Sequence, residues 1–221
     1  MDEVVFLGAA RANRELVIDS PRLPDIPALV ELSARFYRHS ATQRKNFGYV
    51  PAIMNEAAWK SSIAVGDVVC AKARDGRVAG FYTANQYALI YGGEELRALR
   101  AAQSILCNRY KLAEENVSLG AQVVIDVPWQ GSGLRPHLLR ALLRNVGLRY
   151  RYLFSMVKKD NPRALASLPG DGWRCFHEED DARYEMLNVA RALRMLASRL
   201  VLQLPDGANR PPARAQADGR I

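Results

Sequence analysis

Cysteine is scarce in this chain and badly spaced for a framework. Cys70, Cys107 and Cys175 are odd in number and far apart, and no Cys-x-x-Cys pair occurs. That argues against a disulfide scaffold or a zinc site and fits a reducing compartment. Long apolar runs are missing too, since no uncharged stretch approaches the roughly 18 residues of a transmembrane helix. The opening stretch MDEVVFLGAARANREL has no basic region followed by an apolar core and a small-residue cleavage site, so a cytoplasmic location is expected. No block of five or more basic residues occurs, nor any zinc-finger or aromatic RNA-binding signature. Nucleic acid is therefore not the expected partner, although the net charge is +8. That charge, mostly scattered arginine, suits a phosphorylated cofactor or an acidic protein, and equally a solvated basic surface. There are no internal repeats.

What is present is an ordinary globular composition, 49% hydrophobic and 24% charged over 221 residues, enough for one domain with a full core. That domain is expected over residues 1–204. The tail PDGANRPPARAQADGRI (205–221) lacks apolar content and is expected to be disordered.

Periodicity supplies the elements. ELVIDS (15–20) reads as a strand. Prolines precede an apolar period at Ile26, Leu29, Val30, Leu32 and Phe36, which predicts a first helix. PAIMNEAAWKSSIA (51–64) reads as a second helix opened by Pro51. Two β-rich runs at 67–73 and 77–85 flank Asp75-Gly76, a pair that specifies a hairpin. Residues 92–116 read as helical, within a long insertion over 86–118. AQVVIDV (121–127) is a buried strand, and 136–148 a helix with Leu138, Leu139, Leu142, Leu143 and Val146 on one face. Then come a strand at 150–159, a short helix at 161–168, an antiparallel pair at 172–179 and 182–190, and a helix at 191–204. This order implies an α/β (α+β) fold, a mixed sheet with helices on both faces.

The stretch VVIDVPWQGSGLRPHLLRALL (123–143) runs from strand through a two-glycine turn into a helix. Glycines let backbone amides approach a ligand, and the first turn of a helix has free N–H groups that attract an anion. A nucleotide-triphosphate loop would need Lys-Ser/Thr after Gly133, and a dinucleotide fingerprint would need glycine where Pro136 stands. Neither is met.

The same residues resemble the acyl-CoA loop of the GNAT N-acyltransferase superfamily. IDVPWQGSGLRPHLLRALL is similar to its fourth strand, diphosphate loop and third helix, with Gln130, Gly131, Ser132, Gly133 and Leu134 in order. Arg135 stands where that family has Gly or Ala. VKKDNPRALASLPGDGWRCF resembles the late Asn-x-x-Ala and Gly-Phe segment through Asn161, Ala164, Gly172 and Trp173, and the hairpin carries Gly80. The likeness covers roughly residues 15–190.

The resemblance implies a mostly antiparallel central sheet, flanked by helices, whose fourth and fifth strands splay apart around the donor. It implies acyl-CoA or coenzyme A as cofactor and an amine acceptor, most simply with acetyl as the group moved. Ile125 and Val127 would contact the donor from the strand. Gln130, Gly131, Ser132, Gly133, Leu134 and Arg135 would hold its diphosphate, with Asn161 nearby. Amine attack needs a base and the departing thiolate an acid. The family's usual acid, a tyrosine, is replaced by Leu168, which leaves Ser167, Tyr82 or Tyr87 as candidates. Asp126 is a candidate base, or a surface carboxylate paired with arginine. His39, His137, His177 and Glu178 read as surface or capping residues. Trp129 either packs on the cofactor or wedges between helices, the second being the better reading.

Two alternatives share the fold. One is fatty-acyl transfer from long-chain acyl-CoA or an acidic acyl carrier protein, with 86–118 shaping a chain pocket. The other is a silent acyl-CoA-binding regulator. No metal is expected, and a monomer or homodimer is.

Overall fold

The computed structural model describes residues 3–7, 14–37, 50, 53–84, 91–118 and 121–201. The expectations for His39, Pro51, Tyr87, residues 86–90, the helix end after Val201 and the tail 205–221 lie outside the described residues.

Two sheets organise the chain. The first has the order β1 (Glu3–Leu7), β2 (Arg14–Asp19), β3 (Val68–Ala73), β4 (Val78–Ala84) and β6 (Ala121–Ile125), every neighbour antiparallel. The second has the order β5 (Val117–Ser118), β7 (Tyr152–Lys158), β9 (Ala182–Asn188) and β8 (Arg174–Glu178). Only the β5–β7 pairing is parallel. The mixed, mostly antiparallel sheet expected from sequence is therefore divided in two. The expected hairpin is present, with Gly76 at φ +83° in its turn and Asp75 Oδ1 accepting from Arg77 N at 3.1 Å.

Helices cover three faces. α1 (Ile26–Arg35) and α2 (Glu56–Ala64) lie on one face of the first sheet, where Trp59 meets Phe81 edge-on at 5.1 Å. Helix α2 starts at Glu56, later than Pro51, because Asn55 caps it by accepting from Ala58 N. On the opposite face sits α4 (Leu134–Val146), which buries Leu134, Pro136, Leu138, Leu139, Leu142, Leu143 and Val146. Those four fully enclosed leucines at 138, 139, 142 and 143 each contribute on the order of 1.5–3 kcal/mol at most. α6 (Val189–Val201) joins the same core through Val189, Ala192 and Leu196.

α3 (Gly93–Tyr110) covers the second sheet, where Leu99, Leu106 and Cys107 pack with Phe154, Phe176 and Tyr184. It ends six residues before the predicted limit at 116, at Lys111 in the left-handed region, φ +53°. The short α5 (Pro162–Ser167) follows β7. Among the described residues no helix is long and apolar enough to cross a membrane, and no cluster of His, Cys, Asp or Glu could hold a metal ion.

Candidate active site

The site is a wedge between two strands. The chain runs beside β7 at Val117 and Ser118, then pairs with β4 from Ala121 onward. Leaving one neighbour for another opens a gap between β6 and β7, which belong to different sheets. Asp126 N donates to Ala79 O at 2.9 Å, and the antiparallel register pairs Phe81 with Val124 and Thr83 with Gln122. Ladder bonds fall on alternate residues, so 126, 124 and 122 turn their backbone groups toward β4. Val123 and Ile125 turn theirs toward the gap.

The strand expected over 121–127 ends at Ile125. Pro128 cannot continue a ladder, and Asp126 instead caps a 3-10 turn, Val127–Trp129, by accepting from Val127 N at 2.9 Å. Val127 is 46% exposed and begins that turn. Val127 therefore lies past the strand where the sequence reading had placed it, and it is Val123, two residues before Ile125, that shares the side of Ile125. The Ile125 carbonyl itself accepts from Gln130 Nε2 at 2.9 Å.

A cavity of about 310 Å³ fills the wedge. Ile125, Gln130, Gly131, Ser155, Lys158 and Arg163 are among its lining residues. Tyr82, Leu168 and Trp173 line it from the α4 side, within the core that α4 builds. Phe36, Val50 and Val124 line it from the other side, within the core of α1 and α2. The cavity therefore reaches both faces of the first sheet. None of the described residues 91–118 contributes to it.

The loop from Gln130 leads into an uncapped helix. Gly131 and Gly133 have φ of +76° and +85°, a left-handed conformation that favours glycine. No side chain caps the N-terminus of α4, and its first turn holds no acidic residue. Ser132 Oγ donates to Trp129 O at 2.6 Å, and Trp129 is buried in the core, wedged among helix residues as the better sequence reading had it. Leu134 is buried beneath the turn.

Arg135 lines the cavity and is also paired within the protein. Its Nε lies 2.8 Å from Asp171 Oδ2, in a pair whose side chains are 16% and 6% exposed. Asp171, in the 3-10 turn Pro169–Asp171, also faces Arg199 at 4.0 Å. Burial raises its pKa, against the pull of both arginines.

The catalytic candidates separate. Asp126 is paired with Arg35 Nη1 at 2.9 Å, the surface pair that was one of its two readings, and is not among the cavity's lining residues. Ser167 lines the cavity while its Oγ donates to Ala164 O at 2.8 Å. Tyr82 is buried at the wedge, and burial pushes its phenol up to about 12, opposed by Arg135 and Trp173 beside it. Asn161 caps α5 by accepting from Ala164 N at 3.4 Å and lines the cavity too. His137, His177 and Glu178 do not line the cavity, and Glu178 pairs with Lys159.

No protein-family model matches the chain, and no curated protein matches it in sequence. Solved structures do match. An acetyltransferase of the GNAT family from Listeria monocytogenes superposes with a TM-score of 0.57 at 12% identity, over 84% of this chain and 99% of that one. The GNAT domain of S. lividans PAT gives 0.54 at 12% identity, over 85% and 96%. The yncA protein of Salmonella typhimurium, described as an acetyltransferase and solved with its cofactor acetyl-CoA, gives 0.53 at 13% identity, over 79% and 94%. This is the GNAT fold. Within it, β6 and β7 are the splayed fourth and fifth strands that the sequence resemblance implied. The GNAT resemblance missed Val123, the Arg135–Asp171 pair and the polar lining residues Gln122 and Ser155. Only strand alternation, read with Pro128 as a stop, could have pointed to Val123.

Proposed function

We propose that the protein is an N-acyltransferase that moves an acyl group, most simply acetyl, from acyl-CoA to a primary amine. The observation that carries this reading is the wedge cavity, which joins an uncapped, glycine-opened helix N-terminus to the opposite face of the sheet. The residues present fit such a donor. First-turn N–H groups of α4 suit a diphosphate, with Lys158 and Arg163 on the cavity wall as further positive charge. Gap-facing backbone groups of Val123 and Ile125 suit an amide-bearing arm. When bound, acyl-CoA would supply an activated thioester carbonyl, and the gap-facing backbone groups of Val123 and Ile125 would hold its arm between β6 and β7. The amine enters from the side of Phe36 and Val50, and water takes its surplus proton. The acetyl-CoA bound by the Salmonella neighbour supports the choice of donor.

The fatty-acyl and carrier-protein readings gain nothing from the insertion, whose described part packs on α3's own sheet and away from the cavity. A thermal-shift series with acetyl-, octanoyl- and palmitoyl-CoA, followed by thiol release across a panel of amines, tests the proposal. Acetyl-CoA is expected to raise Tm most, since at equal concentration a ligand of lower Kd stabilises the folded state more, by RT ln(1 + [L]/Kd), and at least one amine is expected to release thiol. Binding without turnover by any amine would favour the regulatory reading, and no binding at all would end both.

A further inference from the structure

The acceptor side of the wedge holds a buried polar side chain that no described residue satisfies. We propose that the acceptor is an apolar α-amino acid, free or at the N-terminus of a peptide, whose carbonyl or carboxylate oxygen accepts a hydrogen bond from the Gln122 side-chain amide. This rests on the acyl-transfer reading above and names the substrate class for it.

Strand alternation decides which side Gln122 serves. Val123 and Ile125 pack against the core of α4, whereas Val124 belongs to the core of α1 and α2. Gln122, two residues before Val124, projects to that second side, where Phe36 and Val50 line the cavity. Gln122 is 8% exposed and lines the cavity itself, and among the described residues its Nε2 has no hydrogen-bond partner. Thr83, directly opposite in the β4–β6 register, does not take up the amide. It is fully buried, and its Oγ1 is also without a partner among the described residues. A buried N–H that meets no acceptor is destabilising, and an oxygen placed in the cavity relieves it.

The walls around the amide define what carries that oxygen. Phe36, Val50, Val124 and Met156 are buried and line the cavity. Among the described residues the charged groups of the lining are Arg135, Lys158 and Arg163, with no Asp or Glu. A polycationic acceptor would meet positive charge and no counter-ion there, whereas a carbonyl or carboxylate is favoured. Neighbouring Cα atoms are about 3.8 Å apart, so Gln122 brings its amide within one side-chain length of the thioester region flanked by Val123. A carbonyl attached to the amine-bearing carbon suits that reach, and this is the arrangement of an α-amino acid. The cavity, about 310 Å³ in all, must also hold the end of the donor. That leaves room for a small apolar side chain against Phe36, Val50, Val124 and Met156.

The step balances with water as proton carrier. The amino nitrogen forms a bond to the acyl carbon, the C–S bond breaks, and its electron pair goes to sulfur. The proton lost from nitrogen passes to water and the thiolate takes one from water, giving an N-acyl amino acid and a thiol. Gln122 holds the acceptor and exchanges no proton.

The test measures thiol release from acetyl-CoA by the full chain with leucine, leucinamide, the peptide Leu-Gly-Gly, glycinamide, spermidine and 3-methylbutylamine. The last keeps the side chain of leucine and lacks its carboxylate. The best of the three leucine compounds is expected to exceed 3-methylbutylamine in kcat/KM by about 10²-fold, and leucinamide to exceed glycinamide by about tenfold or more. Leucine ahead of leucinamide and the peptide would mark a free amino acid as the source of the oxygen, and the reverse order a peptide N-terminus. Gln122→Met, similar in length but with no donor, should shrink the preference over 3-methylbutylamine to a few-fold. Thr83→Val, at the neighbouring hydroxyl, should leave that preference intact. An equal loss with every amine in Gln122→Met, or 3-methylbutylamine or spermidine used as well as the leucine compounds by wild-type protein, would overturn the acceptor assignment while leaving acyl transfer intact. If the wild-type protein releases no thiol with any amine, the acyl-transfer reading falls and takes this one with it.

Discussion

Gly80 on β4 lies opposite Ile125 on β6, and a Cβ at position 80 would stand 2.8 Å from the Val124 carbonyl oxygen and 3.3 Å from Ile125 Cα. Both are main-chain atoms that cannot rotate away. Glycine here lets β4 approach the strand whose far edge faces the cavity, so the same contact that closes the first sheet also sets one wall of the wedge.

Gly80→Ala should therefore push β6 toward the gap. In an unconstrained strand, replacing glycine with alanine stabilises by about 0.4–1 kcal/mol through the unfolded chain. Here overpacking should dominate and cost about 1–3 kcal/mol, read from urea unfolding, with weaker acetyl-CoA binding in the same variant. A rise in stability would show that β6 yields freely and that the close approach does not hold the wedge.

The loop glycines should behave differently, because the space around them is open. Nothing lies within 4 Å of a Cβ placed at Gly131 or Gly133, yet both have strongly positive φ. The constraint is torsional, costing an ordinary residue about 1–2 kcal/mol and a β-branched one more. Gly133→Val is expected to weaken coenzyme binding by roughly tenfold or more while the circular-dichroism spectrum stays native. Gly133→Asn, which tolerates the left-handed region, should retain more affinity. Equal affinity for wild type, Asn and Val variants, measured by calorimetry, would remove the loop from the binding site.

Much of this architecture is written in local pattern. The leucines of α4 and the Asp75-Gly76 turn declare themselves within a dozen residues, since each needs only its own local pattern; β7 also reads as a strand, although it is buried from Leu153 to Val157 without alternating. β5 does not, because two residues, Val117 and Ser118, hold no period, and their role depends on Tyr152 and Leu153 far along the chain. β1 escaped for a similar reason, as its five residues gain meaning only by pairing with β2. The loop glycines were legible as a tight turn opening a helix, whereas the pairing of Arg135 was not legible. Its partner Asp171 lies 36 positions away in a turn that only the packed sheet brings near.

Asp126 distinguishes a structural carboxylate from a catalytic base. It accepts from Val127 N and pairs with Arg35, whose side chain is 45% exposed. Loss of that cap and half-exposed pair in Asp126→Asn should cost about 1 kcal/mol or less, with kcat nearly unchanged in thiol-release assays. A fall in kcat approaching 10²-fold, the scale of general-base catalysis, would return Asp126 to the mechanism.

Glu185 gives the fold a pH dependence with a definite sign. Its side chain is buried beside Arg183, with Nη2 to Oε1 at 3.1 Å. Burial raises its pKa above the ordinary 4.5, Arg183 opposes the rise, and Glu178 adds to it. The folded state therefore holds a proton at pH values where the unfolded state has lost it. On that account Glu185 contributes stability that is fully present below 4.5 and lost as pH rises through the raised folded value. Glu185→Gln carries no such titration. The Tm of wild type minus that of Glu185→Gln should accordingly be largest in mild acid and shrink toward neutral pH. A difference that grows with pH instead would mean that Arg183 outweighs burial and holds Glu185 ionised in the folded protein.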